Sequence, residues 1–439
     1  MFVFDRMYGE LKFPPLIKKV LDCPGLLRLR EVRMANIPFF SFPSFTAVTR
    51  FEHSLGVAHL ARIFSETIDL ADKERHELML AALYHDVATP PFGHLVEEVL
   101  NSKYGYDHER KLCSLIVGNS DEHGGQRAQI FLGKSLKLHK ICQSLEGRKL
   151  GIDPYRIADL TTGDLDASYG DIIASKGIDL DNIDNVIRAA TAMGISDFTP
   201  KICETIAKSF VEHNNQIFIQ DESRFYTYQW QQARELLYGM IFSSVCDFSL
   251  QTMLKDALRV LSMDNSFKLK KEDWALTDEQ LIYQRLLKNT ESEQIIRRMR
   301  LMQLYQPLSL LTLDAAPDFK LDSNSIMLIV SIAESILVSH IEGSKSYLKL
   351  VPGKLAVNVY ADKRKRYIRK RFLSYGNETD EKYDLNKTNK LILGLFSVNS
   401  VDWSDKCTDE FIRQINLQIK DIYSVEKTKI VTGKYPSIN

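Results

Sequence analysis

The sequence predicts a mainly α-helical protein with a small α+β region towards its C-terminal end. Two patterns carry that expectation. Apolar residues recur at helical spacing through much of residues 51–310; Leu78, Ala81, Ala82 and His85, for example, follow i, i+3, i+4, i+7. Beyond about Leu348 the period changes to two, with Leu355, Val357 and Val359 alternating with Ala356, Asn358 and Tyr360.

Taken in order, residues 1–50 read as a lead-in that packs on the helical core, with short strands and a helix over 14–23. A Pro-punctuated connection follows, from Pro38 to Pro43. Residues 51–310 read as the helical domain. One helix runs from Leu55 to Leu70 with His53 near its start, and the next places His85 on its buried stripe. Farther on, Ile183, Val186, Ile187 and Ala190 mark the buried face of another helix, and Asp181, Asp184 and Arg188 share its other face. Loops are expected at Gly118–Gly125, a polar surface excursion that carries His123, and at Gly163–Asp171. A long helix over 226–262 carries Arg234. Residues 311–439 read as an α+β region for oligomerisation or regulation, with a polar loop at 376–390 and an amphipathic helix at 407–425. Within it, Lys363 to Phe372 holds seven basic residues in ten. That run suits a solvated hairpin, a polyphosphate site between subunits, or contact with nucleic acid phosphates.

Composition limits the classes. Lys+Arg and Asp+Glu both number 57, so no global charge favours nucleic acid or a membrane surface. No apolar run reaches the roughly 18 residues that span a bilayer. Six scattered cysteines without a Cys-x-x-Cys pair read as reduced thiols, and the start of the chain lacks a signal-peptide pattern; a cytoplasmic protein is expected.

The chemistry concentrates in four short segments. They are Arg50-Phe51-Glu52-His53, then His85-Asp86, then Pro90-Pro91-Phe92-Gly93-His94, and finally Asp181. Two imidazoles and two carboxylates make a complete ligand set for one divalent ion. Imidazole suits transition metals and carboxylate suits harder ions, so the set admits Mn, Fe, Co, Zn or Mg.

In these segments the chain resembles the HD-domain deoxynucleoside triphosphate triphosphohydrolases, a family that includes bacterial dGTPases and the animal SAM-and-HD dNTPase. The matching stretches are Arg50–Gly56 (RFEHSLG), His85–Glu97 (HDVATPPFGHLVE) and Gly177–Arg188 (GIDLDNIDNVIR). The likeness covers about two-thirds of the chain and is closest before residue 195. It implies an HD-type helical fold whose metal ligands are His53, His85, Asp86 and Asp181. It implies catalytic roles for His94, Glu97 and His108, with His94 as the acid for the leaving oxygen. Arg50 and Arg234 match arginines that grip the triphosphate. Met34, Asn182, Asp184, Asn185, Arg188 and Phe242 fall where the family meets the rest of the nucleotide.

Departures cluster in that last group. Met34 stands where the animal enzyme has Gln, Asn185 where the family has Tyr, and Ala189 where it has Asp, while Phe242 lacks a phenolic oxygen. Losing polar partners weakens discrimination against the wrong sugar. The implied activity is metal-dependent hydrolysis of deoxynucleoside triphosphates to deoxynucleoside and tripolyphosphate, in a homo-oligomer that an activating nucleotide can control. Two other readings use the same residues. One is a phosphodiesterase or nuclease acting on cyclic nucleotides or single-stranded nucleic acid. The other is a nucleotide-binding sensor with little turnover.

Overall fold

The centre of the fold is the helix Arg50–Thr67, and its start is written into the sequence. Thr49 and Glu52 form a capping box: the Thr49 hydroxyl accepts the Glu52 N–H at 3.3 Å, and the Glu52 carboxylate accepts the Thr49 N–H at 3.1 Å. Small residues such as Ser54, Gly56, Ala58, Ala61 and Ser65 are buried along it. They let the helices Asp72–Tyr84, Leu180–Ala192 and Pro200–Lys208 approach from several sides. The structure, a computed structural model, describes residues 2–37, 40–118, 138–175, 177–263, 269–315, 331–333, 335–336, 355–361, 370–374, 376–381, 389–397, 405–418 and 423–424. As expected, the fold is mainly α, with small sheets in the C-terminal region.

Contacts divide the chain into two units. The first comprises Met1–Leu237, Leu258–Thr290 and Ile368–Tyr383. Besides the helices it holds the N-terminal strand pair Phe4–Asp5 and Gly9–Glu10, and a four-stranded sheet. Strands Phe210–His213 and Gln216–Gln220 make a hairpin through Asn214 and Asn215, both at positive φ, as a tight turn matched to strand twist demands. Strand Lys370–Ser374 joins it in parallel, Ile219 opposite Phe372, and Asn377–Glu381 closes the sheet antiparallel.

The second unit comprises Tyr238–Ala257, Glu291–Tyr367 and Asp384–Asn439. In it, Asn389–Ser397 lies between Gln306–Ala315 and Leu355–Ala361, antiparallel to both, with Leu393 opposite Leu311 and Val359. Leu311, Leu355, Leu393, Leu395 and Phe396 are buried.

Several local expectations change. The helix expected over 226–262 is two helices, Arg224–Ser243 and Val245–Met263. Ser244 interrupts it by acting as a cap: its hydroxyl accepts the Asp247 N–H at 3.2 Å and donates to the Asp247 carboxylate at 2.6 Å. Residues 377–381 form a strand where a polar loop was expected, because backbone pairing to 370–374 holds a segment with no apolar face. The amphipathic helix expected at 407–425 spans Asp405–Gln418. His123 and Lys363–Arg369 lie outside the described residues. Lys370, at the end of the basic run, is buried, with its ammonium 5.0 Å from the centre of the Tyr228 ring. Among the described residues no helix is long and apolar enough to cross a membrane.

A buried arginine ties the segment after His85 to the rest of the first unit. The Arg28 guanidinium donates to the carbonyls of Val87 at 2.9 Å, Thr89 at 2.6 Å, Leu276 at 2.8 Å and Trp274 at 3.3 Å. Arg28→Met keeps most of the volume but orphans those acceptors, so we expect it to cost about 3 kcal/mol of stability in urea unfolding. A loss below about 1 kcal/mol would mean the carbonyls find other donors.

Candidate metal centre

His53, His85 and Asp181 each offer one atom, and the three atoms lie within 4.8 Å of one another. His53 comes from the first turn of Arg50–Thr67, His85 from the end of Asp72–Tyr84, and Asp181 from the start of Leu180–Ala192. Asp179 caps that last helix by accepting the Asn182 N–H at 2.7 Å. His53 Nε2 is 2.8 Å from Asp181 Oδ1 and 3.3 Å from His85 Nε2, and His85 Nε2 is 3.9 Å from Asp181 Oδ1. Donors about 2.1 Å from a shared ion stand roughly 3.0–3.4 Å apart. The spacing therefore suits a cation.

Both imidazoles are oriented for that task. His53 Nδ1–H donates to Asp184 Oδ2 at 2.8 Å, and His85 Nδ1–H donates to the Ala82 carbonyl at 2.8 Å. Each ring thus turns Nε2 to the centre, the arrangement found when a second group fixes a ligand histidine. Electrostatics ask for positive charge there. Burial opposes charge on His53, but hydrogen bonds with Asp181 and Asp184 overcome it and raise its pKa to about 10. A divalent ion meets the same demand and displaces that proton.

Asp86 sits beside the trio, its Oδ2 3.6 Å from His85 Nε2. It is held by Arg50, whose NH1 donates to both carboxylate oxygens at 2.8 Å, and by the Thr89 hydroxyl at 2.8 Å. Burial alone would raise its pKa; Arg50 and the two histidines outweigh that and hold it well below the usual carboxylate range.

A second cluster follows the Pro90–Gly93 turn. Phe92 and Gly93 both have positive φ, 54° and 55°, and the Phe92 N–H is held by the buried Asp278 carboxylate at 2.8 Å. The turn starts the helix His94–Tyr104. His94 Nδ1–H donates to Glu97 Oε2 at 2.9 Å, and Glu97 Oε1 accepts His108 Nδ1–H at 2.5 Å and the His108 backbone N–H at 3.0 Å. Burial would raise the Glu97 pKa, but its hydrogen bonds from His108 and His94 hold it far below its ordinary 4.5. For His108 burial lowers and the bond to Glu97 raises, with a net rise above its ordinary 6.5.

The pair has a two-sided pH signature. Glu97 contributes stability above its unfolded pKa and loses it as pH falls from about 4.5; His108 contributes below its unfolded pKa and loses it as pH rises from about 6.5. We expect Glu97→Gln to cost about 2 kcal/mol between those limits and less on either side, read from unfolding across pH. A cost independent of pH would refute the ion pair.

Residues 50–151 match the HD domain family. This chain carries an HD domain. It is similar to a protein of Dictyostelium discoideum described as a SAMHD1 homolog of deoxynucleoside triphosphate triphosphohydrolase, 22% identical over 321 residues, which cover 69% of this chain and 59% of that one. The Bos taurus SAMHD1 triphosphohydrolase is 32% identical over 100 residues, 21% of this chain and 17% of its own. A putative HD domain-containing protein of Acanthamoeba polyphaga mimivirus is 24% identical over 289 residues, 60% of this chain and 58% of that one. The chain thus spans under two-thirds of the length of each.

Around the HD domain, residues expected at the nucleotide are placed differently from one another. Asp184 and Arg188 are not on an open face: both side chains are 0% exposed and bond to each other. Their charges are paired inside the protein, which explains how a charged pair shares a helix buried on both sides. Asn182 donates its side-chain amide to both Asp179 oxygens at 2.9 Å, whereas Asn185 is partly exposed. Met34 and Arg234 are buried. The Phe242 side chain lies outside the described residues. Sequence reading gave no site role to Asp278 or Asn36; Asn36 shows itself only in space, where its side-chain oxygen would meet a Cβ at Gly93 at 2.5 Å, with Arg50 NH2 at 2.8 Å.

Proposed function

We propose that this chain is a metal-dependent phosphohydrolase that cleaves deoxynucleoside triphosphates to deoxynucleoside and tripolyphosphate. The observation that carries the reading is the convergence of His53 Nε2, His85 Nε2 and the Asp181 carboxylate, with both imidazoles locked through Nδ1. The bound cation supplies Lewis-acid polarisation of a phosphoryl oxygen and lowers the pKa of a water.

The surrounding residues divide the remaining work. Arg50 keeps NH1 on Asp86 and presents NH2 beside Gly93, where only a residue without a Cβ leaves room for it. From there it can hold triphosphate oxygens by charge-assisted hydrogen bonds. His94 has a side chain 61% exposed, and Glu97 fixes its Nδ1–H so that Nε2 is left to hand a proton to the leaving 5′-oxygen. Glu97 stays ionised to steady that imidazolium, and His108 holds Glu97 from its other side. The dNTP substrate, rather than another phosphate ester, is favoured by the likeness to the Dictyostelium protein.

The test is to offer the four dNTPs and four NTPs, singly and mixed, with Mn²⁺ or Mg²⁺, and to resolve nucleoside from mono- and diphosphate. Nucleoside plus tripolyphosphate supports the reading; phosphate or diphosphate release, or no turnover, overturns it. His94→Ala should lower kcat about 100- to 10,000-fold with Mn²⁺ affinity unchanged. Full turnover in that variant would take His94 out of the reaction.

A further inference from the structure

We infer that Tyr8 and Asp5, at the very start of the described chain, are positioning residues for the metal centre: they lock Asp184, and through it the ring of His53. The inference rests on the metal-centre reading above and deepens it.

Among the described residues, the hydrogen-bond partner of His53 Nδ1 is Asp184, whose carboxylate has no exposed surface. Its Oδ2 accepts His53 Nδ1–H and Arg188 Nε–H, each at 2.8 Å. Its Oδ1 accepts the Tyr8 hydroxyl at 2.8 Å and Arg188 NH2 at 3.0 Å. These four bonds fill the lone-pair directions of a carboxylate. Because the Asp184 carboxylate is fully buried, a lost donor is not replaced from bulk solvent, and the carboxylate is free to rotate towards those that remain.

Asp5 acts one step back and in two ways. Its Oδ2 accepts Arg188 NH1 at 2.8 Å, which completes the guanidinium between two carboxylates. Its Oδ1 accepts the backbone N–H of Met7 at 2.8 Å and of Tyr8 at 3.1 Å, so the same side chain folds the turn that delivers Tyr8. The Tyr8 ring is fixed further by the His59 ring, 4.8 Å between centroids, and by the Arg188 guanidinium 5.7 Å from its centre. Asp5 and Tyr8 both lie outside the stretch 50–151 matched by the HD family. The lead-in therefore completes the centre rather than merely covering it.

The test is Mn²⁺ binding to the metal-free full chain, by calorimetry and by EPR of the free ion, for the natural protein, Tyr8→Phe, Asp5→Asn and Phe4→Ser. Phe4 is largely exposed on the same strand pair, so Phe4→Ser controls for damage to the pair. Tyr8→Phe is expected to bind Mn²⁺ about 10- to 100-fold more weakly, as when a group that orients a ligand histidine is lost. Asp5→Asn should follow it, and Phe4→Ser should bind as the natural protein does. Loss of the buried hydroxyl should lower the melting temperature without metal by only a few degrees, leaving the protein folded in the assay. At saturating Mn²⁺ its kcat should recover and its KM for substrate should stay put, which separates positioning from substrate contact. Natural affinity in Tyr8→Phe overturns the inference while leaving the metal centre standing. Failure of the natural protein to bind Mn²⁺ overturns both.

Discussion

Replacing His85 by alanine is expected to abolish Mn²⁺ uptake and to lower turnover by more than about 1000-fold, while the fold stays intact. The magnitude follows from losing several kcal/mol of Lewis-acid stabilisation, at 1.36 kcal/mol for each tenfold in rate. The selectivity follows from position. His85 lies at the end of Asp72–Tyr84, and its side-chain bond to the backbone is local, to Ala82. Removing the ring takes one of three convergent donors and leaves the helix free to end as before. The check is calorimetric Mn²⁺ binding and product release, with circular dichroism for the fold. Mn²⁺ affinity within threefold of the natural protein would sink the assignment of His85 as a ligand.

Gly56→Ala should be strongly destabilising although it adds a single methyl group. Replacing glycine by alanine within a helix ordinarily stabilises by about 0.5–1 kcal/mol. Here the sign inverts. A Cβ at position 56 would stand 2.1 Å from Asp184 Oδ1 and 2.3 Å from Arg188 NH2, well inside contact distance. Neither side chain can retreat, because both are buried and bonded to each other, to His53 and to Asp5. Breaking a buried pair costs about 3–5 kcal/mol, so a loss of about that size is expected in chemical unfolding, together with weakened Mn²⁺ binding. A variant more stable than the natural protein would show that Asp184 and Arg188 do not occupy that space.

These two residues also mark the limit of what the sequence makes legible. His53 and His85 stand out because imidazole beside carboxylate, in that order, has few other uses, and the helices that carry them show their apolar period. The mainly helical fold was legible for the same reason. The sequence places Asp184 and Arg188 opposite the helix's apolar face and, by resemblance, among the residues that meet the nucleotide. What buries them is Tyr8, 176 residues away, and Asp5, 183 residues away, and local spacing holds no record of such partners. The break at Ser244 hides within an apolar run, where a cap residue looks like a tolerated polar substitution. Strand 377–381 hides because an exposed edge strand needs backbone pairing and no apolar alternation.

Strand Lys370–Ser374 has a consequence for how this protein is made. It pairs in parallel with Gln216–Gln220, Ile219 meeting Phe372, across about 150 residues of intervening chain. A ribosome adding about 5–20 residues per second leaves the hairpin at 210–220 with a bare edge for roughly 8–30 seconds. During that interval the edge can capture any other extended chain, including the same segment of a neighbouring nascent copy. Closing so long a loop also places this pairing late in folding. Synthesis rate and chaperone supply should therefore govern the yield of native protein more than its final stability does.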